Sequence, residues 1–267
     1  MCCVSVADSL SRSNRGAIMH KIISIVGNRS DSDPERFEAL AKTLGTEAYK
    51  AGYSLRVLVP DAAETPLFDK MADRFAFEGY LEEMARHKLP QGLVELGINP
   101  EMWHGGDHPF AQMMIGGYSL DDYSQQRLLR LRNIDNGQEA PFTRRHEIAS
   151  LIEGPAPVDA VLLLDGGTAG FWLVGDFMKS GKVIPLPYCG GLGERALEKI
   201  YGDSIWDVSA QAVHRLMKPF FGRALEGGYT KMDIAPAAEQ VIDGLAGFFG
   251  RPQDAAPTAK GARLDHV

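Results

Sequence analysis

Short apolar runs alternate with longer amphipathic stretches along most of this chain. Lys21 to Val26 is a β-rich run that ends at Gly27-Asn28-Arg29-Ser30. Asp33 then stands before Pro34, a good helix start because proline at the first helical position gives up no hydrogen bond. Phe37, Leu40, Ala41, Leu44, Ala48 and Ala51 recur at helical spacing, which predicts about five turns with one buried face. Gly52 supplies the stop, and Leu55 to Val59 reads as the next strand, closed by Pro60. Strand, loop, helix, strand is the opening of a doubly wound α/β fold.

The pattern loses definition from Asp61 to Glu139. Helices are predicted at 67–87, 90–96 and 121–132, interrupted by the polar, glycine-containing stretches His104 to Phe110 and Met114 to Ser119. Residues 61–140 are therefore expected to be a variable insertion or helical cap over the sheet edge. Thr143 to Ile152 predicts a helix, ended by Gly154-Pro155. The sharpest signal comes next. Val158 to Leu164 is an apolar run that stops at Asp165-Gly166-Gly167-Thr168. A helix-length segment, Gly181-Lys182, a second run from Val183 to Leu186, and the pair Gly190-Gly191 follow. This is a βαβ unit with glycines where strands hand over to helices. Further helices are expected near 192–201, 207–222 and 234–249. The first 18 residues read as a flexible leader and 251–267 as a disordered tail, leaving 19–250 as one domain; there is no internal repeat.

Composition narrows the function classes. With 267 residues, 45% hydrophobic and 24% charged, the chain fits a single α/β domain with extra helices. A net charge of −7 argues against general nucleic-acid binding, which needs clustered Lys and Arg. No apolar stretch approaches the roughly 20 residues that span a bilayer, so no membrane association is expected. Cys2, Cys3 and Cys189 form neither a disulfide framework nor a zinc spacing. A cytoplasmic location is the expectation.

Several segments could carry chemistry. Gly27-Asn28-Arg29-Ser30, between a strand and a helix, has the makings of an anion cradle, with small residues, an arginine and amides at a helix mouth. The competing reading is a simple turn with an exposed arginine. Gly166, Gly167 and Thr168, after Asp165, and the pair Gly190-Gly191 would converge at the carboxyl edge of a parallel sheet, where amides can approach a phosphate. Arg144 or Arg145, opening a helix, could supply a counter-charge or form a solvated face. His104, Asp107 and His108 are too cramped in sequence for one ion, so no metal and no cofactor is expected. Met102, Trp103, Met113 and Met114 are expected to pack the cap against the sheet. Cys189, beside a predicted helix start that could lower a thiol pKa, lacks a partner histidine and reads as an ordinary small residue.

The order of arginine-rich helix, strand, Gly-Gly, helix, Gly-Lys, proline-containing strand and Gly-Gly resembles the SLOG superfamily of Rossmann-like nucleotide binders. That group includes Lonely Guy-type phosphoribohydrolases and antiphage sensor domains for NAD-derived signals. In the hydrolases a segment R-K-x-x-M, a strand and P-G-G-x-G-T-x-x-E carry the site. Arg144-Arg145-His146-Glu147-Ile148 is similar to the first piece and Asp165-Gly166-Gly167-Thr168-Ala169-Gly170 to the glycine part of the second. Gly181-Lys182 and Pro185 fall at the family's spacing. The resemblance is moderate over 142–200, an outline only over 20–60, and absent over 61–140. It departs where it matters for catalysis. Leu173 stands where the hydrolase glutamate should be, Gly170 replaces the Thr of G-T, and Asp165 replaces the leading Pro. Leucine cannot manage a proton or stabilise an oxocarbenium-like transition state. Asp165 is the best placed substitute carboxylate, ahead of Asp176 and Glu147.

The expectation is thus a three-layer α/β Rossmann-like fold, mainly parallel, with helices on both faces. Its crevice would bind a nucleotide or nucleotide-derived ligand, NAD- or ADP-ribose-related, as a sensor. The alternatives are a nucleotide N-glycosidase using Asp165 and an interaction protein with a vestigial pocket. The resemblance also implies a homo-oligomer.

Overall fold

The computed structural model describes residues 21–29, 33–59, 68–87, 94–98, 114–115, 117–119, 129–133, 144–154, 156–165, 182–191, 193–195 and 229–249. Among the described residues six strands form one sheet: β1 (Ile22–Val26), β2 (Ser54–Leu58), β3 (Val94–Ile98), β6 (Leu129–Asn133), β7 (Ala160–Leu164) and β8 (Val183–Leu186). A two-stranded hairpin, β4 (Met114–Ile115) and β5 (Tyr118–Ser119), lies apart from it. The sheet order is β6-β3-β2-β1-β7-β8, and every pairing in it is parallel. The main helices are α1 (Pro34–Lys50), α2 (Ala72–Arg86), α3 (Arg144–Glu153) and α4 (Ile234–Phe249).

The fold is the three-layer Rossmann-like α/β arrangement. Strands β2, β7 and β8 are buried along their full length, as a parallel sheet covered on both faces requires. Helix α1 packs against α2 and α4, and α2 also touches β1 and β2. A right-handed connection from β6 to β7 requires α3, which leads back toward β7, to lie on the opposite face. Its inward residues are Ile148, Leu151 and Ile152.

Helix α1 starts as its sequence predicts. Oδ1 of Asp33 accepts from the Arg36 amide at 3.1 Å, and Pro34 occupies the first turn. Phe37, Leu40, Ala41, Leu44 and Ala48 are buried. Ala51, expected on that face, is instead the exposed C-cap residue. The helix has already ended there, so the helical spacing no longer decides where its side chain goes.

Two expected helices are strands. The 90–96 segment contributes β3 (94–98), and 121–132 contributes the edge strand β6 (129–133). Short apolar–polar runs such as Val94-Glu95-Leu96 and Leu129-Arg130-Leu131-Arg132 fit either period. Pairing with β2 extended the sheet and decided between them. Residues 61–140, expected as an insertion or cap, thereby supply α2 and two strands of the main sheet. Met114, expected to pack inward, is 62% exposed. The helices expected near 207–222 and between β7 and β8 lie outside the described residues.

One charge pair is buried inside the sheet layer. Nε of Arg56 on β2 donates to Oε2 of Glu95 on β3 at 3.0 Å, and a second donor reaches the same oxygen. Both side chains are almost fully excluded from solvent, at 2% and 3% exposure. Arg56 also donates to the Ala156 carbonyl, and its own carbonyl accepts from the buried Ser24 hydroxyl at 2.7 Å. Among the described residues no helix is long and apolar enough to cross a membrane.

Candidate functional site at the carboxyl edge of the sheet

Strand order reverses between β1 and β7. From β1 the chain steps outward through β2, β3 and β6, then returns to place β7 on the other side of β1. A reversal of this kind opens a crevice beyond the carboxyl ends of the two strands, the usual ligand position in open α/β sheets. The register pairs Val26 with Leu163 and Leu164 with Leu186. Gly27, Asp165 and Pro187 therefore leave the sheet side by side.

Gly27 is held against β7. Its φ is +150°, and a β-carbon there would fall 1.7 Å from the Leu164 carbonyl oxygen. The residues after it are pinned by the start of α2. Asn28 bridges Met71, the Arg29 amide donates to the Lys70 carbonyl at 2.8 Å, and the Ala72 amide donates to the Gly27 carbonyl at 2.9 Å. The Arg29 guanidinium pairs with Glu38 on α1. Both the amide and the side chain of Arg29 thus have protein partners, which gives this loop a structural task at the crevice wall. Ser30 lies outside the described residues.

Asp165 ends β7 in an unusual backbone conformation, with φ +33° in a non-glycine residue. Aspartate tolerates this region better than most residues, but it is still sparsely populated. The side chain is buried, at 2% residue exposure. It points across to the glycine pair after β8: a β-carbon on Gly191 would fall 1.8 Å from Oδ1 of Asp165. Only a residue without a side chain allows this carboxylate so close.

The β8 strand runs into a tight turn, Pro187–Cys189, and then Gly190 at φ +74°, ψ −147°. That combination belongs almost exclusively to glycine. Gly191 follows at φ +64° where a helix begins. Close packing continues at Gly193, whose β-carbon would fall 2.1 Å from the Leu186 carbonyl oxygen. Burial pushes the Cys189 thiol up to about 12; the Arg36 charge opposes this, while Asp165 and Asp33 add to it. The helix start does not activate this cysteine.

Of the sequence-predicted site residues, Gly27, Asp165, Gly190 and Gly191 come together at this edge. Arg144 and Arg145 open α3, and the topology puts a helix start after a parallel strand at the same edge of the sheet. Their side chains, together with Gly166, Gly167 and Thr168, lie outside the described residues. So do His104, Asp107 and His108; among the described residues no group of His, Cys, Asp and Glu could hold a metal ion.

The residue missed by sequence reasoning is Arg36, in the first turn of α1. Its Nε donates to the Tyr188 carbonyl at 2.6 Å. Its Nη2 donates to the carbonyls of Tyr229 and Met232. Nothing in the local pattern separates Arg36 from a solvated helix position, because its partners lie more than 150 residues on. No protein-family model, curated protein or solved structure matches the chain.

Proposed function

We propose that this protein binds a nucleotide or nucleotide-derived ligand, of the NAD or ADP-ribose class, at the carboxyl edge between β1 and β7, as a sensor of the SLOG type. One observation carries this reading. Three strand ends converge at the topological switch point, and Gly27 and Gly191 are held closer to Leu164 and Asp165 than any side chain would permit. Gly191 stands where a helix begins, and a helix start suits a phosphate because its first amides have no partner within the helix. Each exposed helix terminus contributes only about 0.3–1 kcal/mol toward an anion, so useful affinity needs several amides and a cation. Arg144 and Arg145 remain the candidates for that cation, with Gly166, Gly167 and Thr168 as the phosphate loop.

Ligand-observed proton NMR tests this with nucleoside monophosphates, NAD, ADP-ribose and cyclic relatives. Selective broadening of one compound, weakened by Arg144→Ala or Arg145→Ala at unchanged Tm, supports the reading. Unaltered broadening in both variants removes the arginines from the site.

The strained backbone of Asp165 favours a second reading, because strain of this kind concentrates at functional sites. In an N-glycosidase, Asp165 would replace the missing glutamate. Free base and a ribose product would then accumulate with wild-type protein and not with Asp165→Asn. Self-association, which the SLOG resemblance implies, is checked in the same samples by sedimentation.

A further inference from the structure

Arg36 joins two segments that are distant in the chain and adjacent in space. One is the turn that carries Gly190-Gly191; the other is the turn Tyr229–Lys231 that leads into α4. Besides the three carbonyls that accept from Arg36, two contacts unite them. The rings of Tyr188 and Tyr229 meet edge to face, with centroids 5.9 Å apart at 88°. At Gly190 an added β-carbon would be 3.7 Å from Cγ2 of Thr230. Helix α4 starts directly beyond, with the Ala237 amide donating to the Asp233 carbonyl at 3.0 Å.

We propose that Arg36 is the positioning residue of the Gly190-Gly191 turn and makes that turn and the entry to α4 one mechanical unit. A guanidinium is suited to this. Its donors are fixed in one plane, so bonds to carbonyls on two segments set their relative orientation, and a charged donor strengthens each bond. Among the described residues no carboxylate pairs with its side chain, so the cation is committed to the main chain of the two turns. A change at the glycine turn is thereby passed to the first turn of α4. That α4 reports ligand occupancy rests on the proposed binding reading; the joining of the two segments does not.

Amide hydrogen exchange on the full-length, ligand-free protein tests the proposal, since exchange reports local opening segment by segment. In Arg36→Gln, amides of 188–191 and of the first turns of α4 from Ala237 onward should exchange at least about tenfold faster, the effect of losing a charge-assisted hydrogen bond. Those of α2 and β3 should be unchanged. Arg36→Lys keeps the charge without the fork and should restore only part of the protection. Gly190→Ala, which strains the turn itself, should accelerate exchange at Ala237 in the wild-type background and add nothing in the Arg36→Gln background.

Three results would overturn the proposal. These are acceleration spread evenly over the sheet and helices, acceleration in only one of the two segments, or additive effects of Gly190→Ala and Arg36→Gln. If Arg36→Gln does not fold, the same comparison with Arg36→Lys decides, because additive effects there contradict the joining equally. A nucleotide panel without binding would end the sensor reading and leave these outcomes standing.

Discussion

At Gly191 a β-carbon would fall 1.8 Å from Oδ1 of Asp165, on a backbone with φ +64°. Gly191→Ala should therefore lower the unfolding free energy by about 1–3 kcal/mol through overpacking, measured by urea denaturation. The double variant Gly191→Ala, Asp165→Ala should recover part of the loss, because the clash is removed and only the backbone strain remains. Equal losses in the single and double variants would show that the carboxylate does not set the limit. Cys189 makes a contrasting case. Its thiol is 6% exposed and pushed up to about 12, so in a Cys2→Ser, Cys3→Ser background a disulfide reagent at pH 8 should react slowly with the native protein. Reaction should become rapid in denaturant, since the thiolate is the nucleophile.

The elements are held by two polar devices that the hydrophobic pattern does not encode. In the sheet layer, Arg56 and Glu95 are neighbours in register and both are buried. Removing one partner strands the other charge, so Glu95→Ala should cost about 3–5 kcal/mol, read from the urea midpoint. Replacing both by apolar residues should cost much less. At the end of α2, Glu83 accepts from Arg86 at 2.9 Å and lies 3.1 Å from Nε2 of His87. Burial pushes its carboxyl up, but the bonds to His87 and Arg86 and the Lys50 charge outweigh that and hold it below its ordinary value. A carboxyl lowered in the folded state adds stability above its unfolded pKa, and that contribution is lost as pH falls through the lowered value. Relative to Glu83→Gln, the wild-type Tm should thus be higher at neutral pH, and the gap should close as the pH falls below the ordinary glutamate value of about 4.3 and through the lowered one. A gap that persists there would exclude the carboxylate as its source. The buried pair explains part of why the middle of the chain was hard to read. Arg56 and Glu95 look like solvent positions until a strand on each side buries them, and 90–96 and 121–132 carry too few residues to separate period 2 from period 3.6. Where runs were fully apolar, as in β7 and β8, or framed by a cap, as in α1, sequence and structure agree within two residues.

For the whole molecule, the strand order decides where function can sit. Glycines after β1, β7 and β8 were legible as loops, and the expectation that they share one edge follows from parallel pairing. The close approach of the Asp165 carboxylate to Gly191 was not legible, because a wedged carboxylate leaves no local mark. Arg36 was hidden for a related reason, since its acceptors are main-chain carbonyls whose identity the sequence does not record. The proposed ligand site therefore combines a crevice set by topology, close packing at two glycines and a clamp from α1. The site is proposed to admit a nucleotide-derived ligand between β1 and β7. The most direct measurement is a titration of the labelled protein with NAD, ADP-ribose and their relatives, followed by amide chemical shifts. Binding there should give saturable shifts confined to residues 27–29, 164–165 and 188–191, with smaller ones at the start of α4. Shifts absent for every compound, or centred on the opposite edge near Lys21, Tyr53 and Asp159, would contradict it.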